Sequence, residues 1–380
     1  MLIRLIKLLW IIELNKKGEL ILKFCINIIS KKKLICVNNE YQIFSKGCKI
    51  YIKNNITNKS SLILLPFSLT RRWLSYFYIT RRLFRLEPRC GCFINKHLII
   101  FSIKGKIYRL DLKTKKICVE HILKKGMNNP LSFVKIENID GFDDGIMYGE
   151  YIGRGTNDTI DIYLRENSGI WKKVYSFPEN IVKHIHSIIP SKKQKCLFVL
   201  TGDSDFESGI WKIEPGFNKS SRIVGGNQEF RSCFAFEYEN GLVYASDIPT
   251  KENYIYYLNY SNLSLIKLMS ISGPCIYGTK LNNGDYIFST SVEPDDNIQG
   301  VSSLFCLKKG IGVKDNKSHL YIGNPRKGFL DIYQKEKDVF PMLLLGLGVF
   351  QFPYNQSDEI YVTCQALRNL DGCTLKIDIK

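Results

Sequence analysis

GLVYASDIPTKENYIYYLNYSNLSLIKLM (241–269) holds one apolar run, a polar turn, an aromatic β-rich run, a second polar turn and a third run. Its opening run has counterparts along the chain: KLICV (33–37), HLIIFSI (97–103), GIMYGEYI (145–152), CLFVLTGD (196–203), DYIFSTSVE (285–293) and EIYVTCQA (359–366). Short strands rich in β-branched and aromatic residues, separated by Gly, Asn, Asp and Lys turns, point to an all-β fold. A period of roughly forty to seventy residues is what one propeller blade with insertions occupies. The reading is therefore a β-propeller of four-stranded antiparallel blades around a central channel, with seven blades preferred and six the alternative. TLKIDIK at the C-terminus is expected to share a blade with the N-terminal segment, which removes the open sheet edge. Helical turns are expected only in LSYFYITRRLFRL (74–86) and around 339–350.

No Pro-rich or Gly/Ser-rich stretch divides the 380 residues, so residues 1–380 read as a single domain, with 1–30 a lead-in. The net charge of +18 is uneven: residues 1–130 hold 27 Lys/Arg against 6 Asp/Glu, and the remainder 27 against 30. An anionic partner is steered to one side by such a distribution, while lysines on strand edges also serve to block edge pairing. The twelve cysteines include no CxxC pair and sit mostly in apolar runs, as buried thiols of a reducing compartment do. Residues 1–15 are too interrupted by charge for a membrane span and lack a signal-peptide cleavage site. The expected location is cytoplasmic, with membrane contact through 1–15 the lesser reading.

Four carboxylates, Glu150, Asp203, Asp247 and Glu293, each end an apolar run at nearly the same point. Carboxylates in register suggest a ring at the axis, suited to acid–base work, to binding sugar hydroxyls or to holding a cation. His184 and His186 alternate along a strand and point the same way. That pair can serve as base and positioning group, or hold one divalent metal ion. Arg231 opens the apolar run SCFAF, where a buried guanidinium needs a carboxylate from the protein or from a ligand. Glu150, His186, Asp203, Arg231 and Asp247 are thus the catalytic candidates, with His184 and Glu293 as substrate-binding ones. No Walker loop, Rossmann glycine run, G-x-S-x-G or H-E-x-x-H occurs, so a nucleotide cofactor is not expected. Nucleic acid as a partner rests on charge alone, without a recognisable module.

Ser168-Gly169-Ile170-Trp171 recurs as Ser208-Gly209-Ile210-Trp211. In IYLRENSGIWKKVY (162–175) the pattern resembles the Asp-box of BNR-repeat, sialidase-like propellers, with Glu166 or Asn167 where that box has its Asp. The likeness is best over residues 145–297, in YGEY (148–151), HIHSI (184–188), TGDSDFESGIW (201–211), the arginine of QEFRSC (228–233), YASD (244–247) and STSVEP (289–294). It implies a turn folding a third strand onto a fourth, with Trp filling the gap between blades. Phe84-Arg85-Leu86-Glu87-Pro88 is similar to the motif of the first sialidase arginine, with one extra residue before proline. By that resemblance Arg85 is a substrate-binding candidate, and Arg231 and Arg326 stand for the second and third arginines. The expected function is glycoside hydrolysis or polysaccharide cleavage of an acidic glycan at the channel. The alternative is a non-catalytic glycan-binding or scaffold propeller in surface-polysaccharide metabolism.

Overall fold

The computed structural model describes residues 7–10, 24–152, 159–354 and 359–379. Seven antiparallel sheets stand in a ring, as the period predicts. The fourth unit shows the pattern of a blade. His184–Ser191 is innermost, followed outward by Cys196–Gly202, Gly209–Ile213 and Ser220–Gly225. Burial explains why the repeat is visible in sequence. The second strand of a blade is covered on both faces by neighbouring blades, so Cys196–Gly202 is buried throughout. Gly241–Ala245 and Tyr286–Thr290 are equally enclosed. Outermost strands face solvent and alternate, as in Ser60–Leu64. Six of the seven apolar runs are these second strands. KLICV is the exception: Lys33–Val37 is the inner strand of its blade, and Tyr41–Lys46 takes the second place.

The ring closes as expected. Thr374–Ile379 pairs with Phe24–Ser30 in a sheet that also holds Ile360–Gln365, Val349–Gln351 and, at its outer edge, the backbone of Lys7–Trp10. Ile26, Leu375 and Ile377 are almost completely buried in that blade. Each such side chain contributes roughly 1.5–3 kcal/mol of burial, so the two chain ends are held by packing as well as by the ladder. The rest of the 1–15 segment lies outside the described residues.

Second strands all run towards one face, here called upper. The connections between blades and the loops between second and third strands are on that face, and its insertions are long. Residues 65–90 carry helices α1 (Leu69–Tyr76) and α2 (Tyr78–Leu83), close to the helical turns expected there. Residues 291–316 carry α3 (Val301–Leu304), and 337–348 carry α4 (Met342–Leu345). These insertions touch one another, α2 against α4 and α4 against α3. Among the described residues, short turns between inner and second and between third and fourth strands make up the lower face. All twelve cysteines are free.

Candidate functional site

Two inner-strand features place the polar residues. In His184–Ser191 the register shifts between Ile185 and Ser187, which makes His186 the extra residue of a bulge. A bulge re-aims its side chain, and such bulges are common beside functional sites. Gly202 ends the adjoining strand, and a Cβ there would come within 2.9 Å of the His186 ring. The glycine is therefore what lets the imidazole lie against the strand.

His184, His186, Asp203, Arg231 and Asp247 meet at the upper ends of the fourth and fifth blades. Asp203 is the hub. His184 Nε2 is 2.8 Å from its Oδ2, His186 Nε2 3.4 Å from Oδ1, and an Arg231 terminal nitrogen 3.4 Å from Oδ1. Arg231 also donates to the Asp203 carbonyl at 3.0 Å and reaches Asp247 Oδ2 through Nε at 3.3 Å. His186 Nδ1 donates to the buried carbonyl of Ser232 at 3.0 Å. That leaves Nε2 of His186 facing Asp203. The Tyr151 ring packs against His184 at a tilt of 40°, with ring centres 4.1 Å apart.

The carboxyls of this group are driven apart. Burial would raise Asp203, but the hydrogen bonds from both histidines and the charges of His186 and Arg231 hold it well below the usual range. Burial raises Asp247, Arg231 and His186 opposing and Asp203 adding to the rise. Glu293, hydrogen-bonded by Ser291 at 2.9 Å, is pushed up to about 8 by burial and by Asp247. One carboxyl held below the usual range beside two that are raised is the division that acid–base chemistry needs.

Glu150 does not join them. Its side chain turns back into the third blade, where Oε2 accepts the Asp161 backbone N–H at 3.0 Å. Burial, with Asp161 adding, pushes it up to about 7. Successive residues beyond a strand point to opposite sides, so Tyr151, one position later, faces the cluster instead. The four carboxylates therefore form no ring on the axis. The channel, about 460 Å³, is lined by the inner strands of all seven blades and by none of the four. Nor do the histidines converge on a common point: both address Asp203. Among the described residues no group of three or more His, Cys, Asp or Glu side chains is placed to hold a metal ion.

Arg85 lies elsewhere on the same face, in a cleft of about 890 Å³ between the helical insertion and the seventh blade. Six cations line it, Lys33, Arg81, Arg82, Arg85, Arg89 and Lys104, against Glu87 and Asp371. Arg81 pairs with Glu87 and Arg82 with Asp338. The other four donate to backbone carbonyls: Lys33 to Arg89, Arg85 to Leu343, Arg89 to Asn129 and Lys104 to Phe84. Lys33 is 7% exposed, and its ammonium is lowered to about 8 by burial, with Arg89 adding to the fall and Glu87 and Cys90 opposing it. Arg89 lies over the Tyr151 ring at 4.9 Å, so Tyr151 lines the cleft and touches the histidine cluster as well. Lys33, Arg89 and Tyr151 were not evident from the sequence. The available signal was position: Lys33, Arg89 and Arg231 all stand at or just ahead of the upper end of an inner strand.

The arginines read from the sialidase resemblance do not assemble. Arg85 and Arg231 are on the upper face, whereas Arg326 sits in the lower-face turn between Lys317–Asn324 and Gly328–Glu336. The two Ser-Gly-Ile-Trp stretches are also inequivalent. Ser168–Trp171 makes the turn from third to fourth strand in its blade, while Gly209 begins a third strand after an upper loop. Trp171 packs on Tyr148 and His121, and Trp211 on Phe177.

No family model and no curated protein matches the chain. Among solved structures it is similar to an oligogalacturonate lyase from Vibrio parahaemolyticus, with TM-score 0.53 and 11% identity over 99% of this chain and 97% of that one. It is also similar to the extracellular domain of a candidate one component system from B. thetaiotaomicron, with TM-score 0.50 and 10% identity over 92% of this chain and 39% of that one. At such identities the likeness is one of fold, and the fold it supports is the seven-bladed propeller.

Proposed function

We propose that this protein takes an acidic glycan into the cationic cleft of its upper face and cleaves it at the adjoining histidine–aspartate cluster. The observation that carries this reading is the set Lys33, Arg85, Arg89 and Lys104, four cations in one cleft that form no direct ion pair with a carboxylate among the described residues. Crowded cations that are partly withdrawn from water are costly unless an anion joins them. A chain of carboxylated sugars supplies anions at intervals along a cleft of this size. The resemblance in fold to an oligogalacturonate lyase is in keeping with such a substrate.

In this reading Arg85 and Arg89 neutralise a uronate carboxylate, which acidifies the neighbouring C–H. An imidazole of the His184–His186 pair takes that proton, the bond to the leaving oxygen breaks with formation of a C=C bond, and the leaving oxygen is protonated. Asp203 orients the imidazoles and stabilises their charged form. Hydrolysis, with Glu293 as proton donor, is the other outcome of the same arrangement.

A second reading, binding without turnover, is favoured by one feature. Asp203, His186 and Arg231 satisfy one another, and among the described residues Tyr151 is what connects them to the cleft. Incubation with oligogalacturonate and other uronate oligosaccharides separates the readings, with ultraviolet absorbance for unsaturated ends and reducing-end release for hydrolysis. His186→Ala is expected to abolish product while leaving binding intact, and Arg89→Gln to weaken binding about tenfold or more. Binding without product from the wild type selects the second reading. No binding to any carboxylated glycan, or binding untouched by Arg89→Gln and Arg85→Gln, overturns both.

A further inference from the structure

The large apolar side chains left exposed are distributed unequally between the two faces. On the lower turns they are isolated: Ile56, Ile170 and Leu263. On the upper face they crowd the tips of three separate insertions. Leu69 is 82% exposed and Trp73 61% on α1; Val301 is 75%, Phe305 62% and Ile311 72% on the second insertion; Val339 is 76% on the third. These insertions adjoin through α2, α4 and α3, so the tips form one crescent along the cleft. Apolar patches of this kind on a soluble fold mark a surface that meets something.

Charge and shape indicate what it meets. Residues 65–90 contain six arginines and one acid, Glu87. Arg71 and Arg72 lie between Leu69 and Trp73 on α1, and the exposed Trp73 and Phe77 rings stand edge to face at 4.8 Å. Arginine interleaved with tryptophan and other aromatics suits the boundary between lipid headgroups and acyl chains. A peptide or a partner helix is held in a groove, whereas these side chains are spread over the exposed parts of three separate insertions. Among the described residues no helix is long and apolar enough to cross a membrane.

We propose that the upper face docks on an anionic membrane surface, with the tips of the three insertions entering the headgroup layer and Arg71 and Arg72 pairing with lipid phosphates. The attachment is peripheral and is independent of any activity in the cleft. Two terms drive it: burial of the exposed apolar tips, and roughly 1 kcal/mol for each basic residue near an anionic surface.

The test is sedimentation of the full chain with vesicles of phosphatidylcholine alone and of phosphatidylcholine containing phosphatidylglycerol. The expected result is binding to the anionic vesicles that falls with salt, with a blue shift of tryptophan emission that Trp73→Phe diminishes. Arg71→Glu with Arg72→Glu removes the preference for anionic lipid. Trp73→Ser with Phe77→Ser lowers partitioning about tenfold or more. Val301→Ser with Phe305→Ser does the same from a different insertion, which covers the case that the first pair disturbs α1. Binding to neither vesicle, or equal binding by wild type and both apolar variants, overturns the proposal. Self-association that Trp73→Ser abolishes, without vesicle binding, also overturns it and assigns the crescent to a second copy of the chain.

Discussion

Replacing Arg231 by methionine tests whether the cluster is held together by that one guanidinium. The Arg231 side chain is 14% exposed and lies between Asp247, 6% exposed, and Asp203, 39% exposed. Methionine keeps much of the stem's packing and removes the charge. The Asp203 half of the loss is small, because that carboxylate keeps both histidines and is partly hydrated. The Asp247 half is large. Asp247 Oδ1 already finds no partner among the described residues, and without Arg231 only His186 is left to offset the charges of Glu293 and Asp203 among its described neighbours. Breaking a buried pair from one side costs about 3–5 kcal/mol; with the Asp203 half discounted, we expect about 3 kcal/mol at pH 7.

The loss has a predictable dependence on pH. A carboxyl whose folded pKa is raised is stabilising while protonated in both states, and that stability is lost as pH rises from its unfolded value through its folded one. Without Arg231 the Asp247 carboxyl rises further, so the deficit of the variant should shrink as pH falls towards about 4, the ordinary aspartate value. Urea unfolding followed by tryptophan fluorescence and circular dichroism, compared at matched m-values, measures it. Adding Asp247→Asn to Arg231→Met should recover much of the loss at pH 7. A deficit below about 1 kcal/mol, or one independent of pH and unaffected by Asp247→Asn, would refute the account of Asp247 as a buried charge neutralised by Arg231.

His319 in the sixth blade is clamped by Asp331, 2.6 Å from Nδ1, and by Asp315, 3.1 Å from Nε2. Burial acts to lower it, but the two aspartates raise it above the ordinary value of 6.5. Its stabilisation is therefore complete below about pH 6.5 and is lost as pH rises through the higher folded value; His319→Gln should destabilise more at pH 6 than at pH 9, and a difference constant across that range of melting curves would count against it. Ile377→Ala in the closing strand should cost about 2–5 kcal/mol in urea unfolding, since the residue is 1% exposed among neighbours that cannot collapse far. A cost near zero would mean that the ring is not held by that blade.

Some of this organisation was legible in the chain itself. The second strands of the blades are buried on both faces, so they are written as unbroken apolar runs, and their recurrence gave both the fold and the blade number. The single inner strand mistaken for one, Lys33–Val37, is fully buried too and reads identically. His184, His186, Asp203, Arg231 and Asp247 were recognisable because each stands at the upper end of a strand, where the backbone still determines position. One residue beyond that, the reading failed. Glu150 and Tyr151 are adjacent, yet opposite pleats send the first into the blade and the second to the site. The two Ser-Gly-Ile-Trp stretches match letter for letter and lie at different corners of their blades, because turn geometry depends on which strands it joins.

Other features were settled only by the tertiary structure. The cationic cleft brings together Lys33, Arg85, Arg89 and Lys104 from a strand start, a helical insertion, a blade connection and a hairpin loop, each in a different local context. Sequence showed the excess of basic residues in the first third of the chain; closure of the ring decided that these four share a cleft. Arg326 was separated from Arg85 and Arg231 by the same logic, since a turn between third and fourth strands is always on the far face. Strand burial is a local property repeated along the chain and can be read in one dimension, whereas the convergence of loops is fixed by the ring as a whole.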